Sequence, residues 1–237
     1  MAQTTLALTW FGHGTFLFTT PQGRRILVDP WVNGNPACPD QLKSIGHLDL
    51  ILATHGHFDH VGDAVEIARR TGAPIVGIFE LCQWLARRGV RQVLPMNKGG
   101  TQEAAGIRIT MVHALHSSSH IDDDGITYLG EAAGYVLGFS PGPTVYYAGD
   151  TGVFGDMQLI GDLYAPTLAM LPIGDVFTMG PREAARACAL LGVKRAVPMH
   201  FGTFPALTGT PQAFRALAEP LGVDVIALEP GQSVEVQ

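Results

Sequence analysis

Five apolar runs in this chain end on a histidine or an aspartate, and that pattern restricts the fold more than any other feature. They are Arg25-Ile-Leu-Val-Asp29, Leu50-Ile-Leu-Ala-Thr-His55, Val112-His-Ala-Leu-His116, Val145-Tyr-Tyr-Ala-Gly-Asp150 and Ala196-Val-Pro-Met-His200. Runs of this length suit buried strands. In open α/β architectures, ligands gather beyond the carboxyl ends of strands. A sheet-based fold with polar groups collected along one edge therefore satisfies both halves of the pattern.

The densest cluster is Thr54-His55-Gly-His57-Phe-Asp59-His60. Neutral imidazole and ionised carboxylate are good ligands for Zn, Mn or Fe, and no thiol competes within the segment. Left unpartnered at the end of a buried strand, each such group would cost several kcal/mol. His55 and His57, one residue apart, can aim both rings at one ion. Asp59 and His60 are adjacent, so their side chains diverge and suit a second ion.

Apolar runs predict strands at 6–11, 15–19, 25–28, 50–53, 74–79, 107–112, 133–139, 144–148, 168–171, 195–199, 223–228 and 233–236. Helical spacing predicts helices at 59–71, 80–88, 181–191 and 211–221, with Thr210 as the N-cap of the last. The 237 residues are 46% hydrophobic and only 15% charged, which favours one extensive core and a single domain over 1–237. The net charge of −6 and the lack of any Lys/Arg block longer than a pair argue against a nucleic-acid partner. No apolar stretch approaches the ~20 residues of a membrane span, so no membrane partner is expected. The first residues lack the pattern of a signal peptide. Cys38, Cys82 and Cys188 form no C-x-x-C pair and read as reduced thiols, so the expected compartment is the cytoplasm.

His55-Gly-His57-Phe-Asp59-His60, with Asp29 before it and His116, Asp150 and His200 after it, resembles the metallo-β-lactamase superfamily. Gly12-His13-Gly14, His116-Ser117-Ser118, Gly149-Asp150-Thr151-Gly152, the segment 171–180 and Leu228-Glu-Pro-Gly resemble one bacterial group of metal-dependent hydrolases within it, akin to ascorbate-6-phosphate lactonases. The resemblance implies an α/β fold, a four-layer αββα sandwich of two mixed β-sheets flanked by helices. It implies that His55, His57 and His116 hold a first divalent ion. Asp59, His60 and His200 would hold a second, with Asp150 bridging and Asp29 orienting the ligand loop. Zinc is the first expectation, and manganese, nickel or iron fit the same donors.

Within His113, His116 and His120, the strand-end position favours His116 as the ligand. Parity with Ile107, Ile109 and Met111 places His113 in the core, and His120 falls near the acidic run 122–124, in solvent. His13 is expected at the metal edge as a proton donor or substrate contact, and Asp59 and Asp150 as catalytic carboxylates. Asp175 and Thr178 have two readings, shaping the pocket or capping the helix that starts near Pro181. Trp10, Trp31 and Trp84 read as core or rim aromatics.

The expected activity is hydrolysis by a metal-bridged hydroxide of an ester, lactone or phosphodiester in a small-molecule substrate. A non-catalytic, metal-containing metabolite sensor on the same fold is the alternative. Lys98 and Arg182, the cations nearest the motifs, are a thin basis for an anion site. A homo-oligomer is compatible with the sequence.

Overall fold

The computed structural model describes residues 5–123 and 125–237. Asp124, the last residue of the acidic run, and residues 1–4 lie outside the described residues. The first half forms β1 (Leu6–Trp10), β2 (Phe16–Thr19), β3 (Arg25–Val28), β4 (Leu50–Leu52), β5 (Ile75–Ile78) and β6 (Val93–Met96). With the last strand, β16 (Ser233–Val236), they make a seven-stranded sheet of order β16-β1-β2-β3-β4-β5-β6. The second seven-stranded sheet uses β7 (Thr101–Ala104), β8 (Ile107–His113), β11 (Ala133–Gly138), β12 (Thr144–Tyr147), β13 (Leu168–Pro172), β14 (Arg195–Met199) and β15 (Asp224–Val225). Its order is β15-β14-β13-β12-β11-β8-β7. A separate hairpin, β9 (Ser119–Asp122) with β10 (Gly125–Tyr128), stands outside both sheets.

Both sheets are mixed. β3 to β6 are parallel, and so are β12 to β15, while the remaining pairs are antiparallel. The central parallel strands are apolar on both faces: β4, β5 and β13 are buried at every position, as sheets covered on both sides require. Between the sheets, Phe18 of β2 stacks on Phe139 at 5.8 Å and Phe16 meets Tyr147 of β12 edge-on at 6.3 Å. The Tyr135 hydroxyl of β11 donates to the Ala53 carbonyl at 2.7 Å, which ties the two sheets near the ends of their central strands. Helices flank the sandwich. α3 (Phe79–Arg87) packs on β5 and β6, and α5 (Pro181–Leu191) and α6 (Pro211–Ala218) pack on the second sheet and on each other.

Register sets the functional edge. Val28 pairs with Leu52, so Asp29 and residues 53–55 leave the first sheet side by side. Tyr147 pairs with Met170 and Pro172 with Met199, which aligns the exits of β12, β13 and β14.

The helix expected over 59–71 is two helices, α1 (Phe58–Val61) and α2 (Ala64–Thr71). Asp63 breaks it: its carboxylate accepts from Val32 N at 2.5 Å, Asn33 N at 2.9 Å and Asn33 Nδ2 at 2.9 Å, holding the loop after β3. The segment 211–221 is helical to Ala218 and closes in a 3-10 turn over Glu219–Leu221 around Pro220. The strand expected at 223–228 shrinks to Asp224–Val225. β6, β7, β9, β10 and α4 (Met157–Tyr164) were not anticipated. Among the described residues, no helix is long and apolar enough to cross a membrane.

Candidate metal centre

The seven expected ligands converge at this edge. On one side, His57 Nδ1 lies 3.0 Å from His55 Nε2 and 3.3 Å from His116 Nε2. Three ring nitrogens that close on one point match one ion's donor set. On the other side, Asp59, His60 and His200 gather with His13 so that one ligand atom of each lies within 4.8 Å of the others. Asp150 stands between the groups. Its oxygens are 3.3 Å from His60 Nε2, 3.0 Å from His200 Nε2, 3.6 Å from His116 Nε2 and 4.0 Å from His55 Nε2.

Four polar atoms of the cluster, His60 Nε2, Asp150 Oδ1 and both ring nitrogens of His200, are buried without a hydrogen-bond partner among the described residues. Buried polar groups are ordinarily paired. The donor set, all imidazole and carboxylate, fits divalent ions of the zinc type.

Behind the donors lies a buried support. Asp29, fully buried, does not face the cluster. Its Oδ1 accepts from Thr54 N at 2.8 Å, and its Oδ2 accepts from Thr54 Oγ1 at 2.8 Å and His60 Nδ1 at 2.9 Å. Thr54 Oγ1 is in turn 3.0 Å from His55 Nδ1. One carboxylate thus fixes the tautomer of His60 directly and of His55 through Thr54, leaving both Nε2 atoms for an ion. Tyr147 completes the cradle. Its hydroxyl donates to the Gly14 carbonyl and lies 3.3 Å from Asp29 Oδ2. Sequence reasoning missed Thr54, Tyr147 and Thr203, whose roles depend on side chains meeting across the fold.

His13, Asp29 and His200 all adopt positive φ (56°, 48° and 56°). Such conformations in non-glycine residues are uncommon and cluster where a site over-determines them. His13 is fully buried behind Asp59, with Nε2 3.0 Å from Asp59 Oδ2 and Nδ1 3.0 Å from Thr203 Oγ1. It does not line the cavity and holds Asp59 from behind.

Burial holds His55, His57 and His116 below the ordinary histidine range, so their rings are neutral and able to ligate. Burial also takes His13 down to about 4, against the pull of Asp59. Asp59 is brought to about 2: burial opposes its charge, but the His13 hydrogen bond and His60 outweigh it. Asp150 stays well below the carboxylate range despite burial, because His200 and His60 face it. His60 is the exception. Burial would lower it, yet Asp150 and Asp29 together raise it well above the histidine range. Two buried carboxylates facing one ring mark a place with a strong demand for positive charge.

The other singled-out residues lie elsewhere. His113 is exposed at the end of β8, 3.1 Å from Lys98 Nζ and edge-on to Phe154. This corrects the parity argument: β8 is covered on both faces along its middle, so alternation does not separate inside from outside. His120 is half-buried against Trp84 with rings 4.6 Å apart, not solvated. Neither Asp175 nor Thr178 caps α5, whose N-cap is Gly180. Asp175 instead accepts from Val176 N at 2.7 Å and shapes the loop beside the cavity. Lys98 is paired with Glu131.

Residues 24–201 match the family model described as the beta-lactamase superfamily domain. The chain belongs to this family. Within the superfamily, a UPF0173 metal-dependent hydrolase of Koribacter versatilis is 52% identical over 228 residues, covering 96% of this chain and 97% of that protein. One from Methanopyrus kandleri is 48% identical over 235 residues, covering 97% and 100%. Among solved structures, Igni18, a metallo hydrolase from the hyperthermophilic archaeon Ignicoccus hospitalis, superposes with a TM-score of 0.86 at 40% identity. That match covers 98% of this chain and 99% of the other. The superfamily's sandwich of two mixed sheets flanked by helices is the architecture found here.

Proposed function

We propose that this chain is a binuclear metal-dependent hydrolase that cleaves an ester, lactone or phosphodiester in a small molecule. The observation that carries the reading is the pair of donor sets, each drawn from both sheets, on either side of one buried carboxylate. His55 Nε2, His57 Nδ1 and His116 Nε2 would hold one ion. Asp59, His60 and His200 would hold the other, and Asp150 would serve both. Bound there, zinc-type ions lower the pKa of water toward ~7 and polarise a carbonyl or phosphoryl oxygen.

The remaining work falls to the chain. His13 keeps Asp59 in place through the 3.0 Å contact at Oδ2. Asp59 and Asp150 are the carboxylates that face the cavity, and they are assigned to receive the proton of the attacking water. Ser117 also lines the cavity, with Oγ 3.4 Å from His57 Nε2, where a hydroxyl can meet a substrate oxygen.

Metal analysis of the purified protein should find two equivalents. A panel of chromogenic esters, lactones and phosphodiesters assayed with Mn, Zn and Ni should show metal-dependent turnover, with turnover and bound metal both lost in His57→Ala and Asp150→Ala. Turnover that survives loss of the metal sinks the mechanism. A silent panel combined with tight metabolite binding makes the protein a sensor.

A further inference from the structure

The cavity that opens on His57, His116, Asp150 and His200 has a volume of about 670 Å³, well inside the roughly 300–1,000 Å³ of small-molecule sites. Away from the donors its wall is apolar, built mainly by Phe58, Ile121, Phe177 and Phe204. Among the described residues, no lysine or arginine lines it. A phosphorylated or carboxylated tail would therefore lie against hydrocarbon with no matching charge, at a cost of several kcal/mol for desolvation.

The apolar wall is assembled from four separate segments. Phe58 opens α1, Ile121 lies on the β9–β10 hairpin, Phe177 follows β13, and Phe204 follows β14. Ile121, Phe177 and Phe58 are 70%, 57% and 56% exposed. Large apolar groups that converge on one mouth while facing water mark a ligand surface. They also have rigid backing: Trp31 stacks on Phe204 at 5.7 Å and meets Phe58 edge-on at 5.8 Å.

The segment that presents Phe177 is strained. Asp175 and Val176 take φ of 67° and 55° in succession, a conformation especially unfavourable for a β-branched side chain. The turn is held by Asp175 N donating to Met179 O at 3.0 Å and Met179 N donating to Thr151 O at 3.0 Å. Strain of this kind persists where surrounding structure enforces it, typically at ligand clamps.

We propose that the substrate is an uncharged ester or lactone carrying an alkyl or aryl group, which lies along the Phe58–Ile121–Phe177–Phe204 wall with its carbonyl toward the metal donors. The bond cleaved rests on the hydrolase reading above; the apolar contact does not.

The test uses metal-loaded protein with p-nitrophenyl acetate, butyrate and hexanoate, and the adipate monoester as a hexanoate ended by a carboxylate. kcat/KM should rise roughly fourfold per added methylene, and the adipate ester should fall at least tenfold below hexanoate. In parallel, calorimetric titration of straight-chain carboxylates from butyrate to octanoate should show affinity rising with length. Ile121→Asp and Phe177→Asp, at exposed positions that tolerate substitution, should flatten both series. Hydrolysis that ignores chain length, or prefers the adipate ester, overturns the apolar-wall inference and leaves the hydrolase reading standing. No hydrolysis, with a steep binding series that the variants flatten, supports the wall and overturns the carboxylic-ester assignment. A flat binding series without hydrolysis overturns both.

Discussion

Thr54→Val isolates one link of the buried support. The wild-type hydroxyl donates to Asp29 Oδ2 at 2.8 Å, and its oxygen accepts from His55 Nδ1 at 3.0 Å. Valine keeps the shape and removes both bonds. Asp29 is less affected, because it keeps Thr54 N and His60 Nδ1. The loss falls on His55, whose ring is fully buried. An unmatched buried N–H costs about 1–3 kcal/mol. At roughly 2–4 °C per kcal/mol for a chain of this size, the metal-free protein should melt between about 2 and 12 °C lower. Removing the partner that orients a ligating histidine typically weakens metal binding about 10–100-fold, or roughly 1.4–2.7 kcal/mol. Competition for Zn²⁺ against a chromogenic chelator measures the second effect, and scanning calorimetry of the apo protein the first. Thr54→Ser retains the hydroxyl and should restore wild-type affinity. Wild-type zinc affinity in Thr54→Val, or equal weakening in Thr54→Ser, would refute the relay from Asp29 to His55.

Gly14→Ala should weaken metal binding, since a β-carbon there would lie 2.8 Å from His60 Cε1 and push a ligand ring aside; chelator competition reads the loss. Thr210→Ala removes the cap that accepts from Ala213 N at 3.2 Å, and should cost about 1 kcal/mol, a fall of roughly 2–4 °C in Tm. Burial pushes the Cys38 thiol up to about 11 and the Cys82 and Cys188 thiols up to about 12. Because raised values favour the neutral thiol, only about one in a thousand or fewer is thiolate at pH 8. A disulfide reagent should therefore find all three cysteines unreactive until denaturant is added, and a fast-reacting native thiol would contradict their burial.

The donor residues were legible because each follows its strand directly, so local sequence and strand direction already place it at the edge. The paired spacing within 55–60 carried the suggestion of two donor sets for the same reason. The support was hidden: nothing local to Tyr147 or Thr203 reveals that they meet Asp29 and His13 across the sandwich. The apolar wall was equally hidden, since Phe177 and Phe204 lie on loops with no periodicity to read. α4 escaped because Gly161 interrupts its helical pattern. In the fold that glycine lets α4 approach α5, where a β-carbon would sit 2.6 Å from the Leu191 carbonyl. The β9–β10 hairpin was too short and polar to register as strands, although Ile121 within it helps to form the cavity.

Each donor set takes members from both sheets, and this has a consequence during synthesis. A nascent chain that has just exposed residues 55–60 presents four donors with no complement, and His116, Asp150 and His200 arrive successively later. An ion met early would find only an incomplete, exchangeable set. With ions bound as proposed, the complete donor sets would exist only in the finished sandwich, where the ions would act as clasps between its two halves and their removal should loosen one sheet from the other.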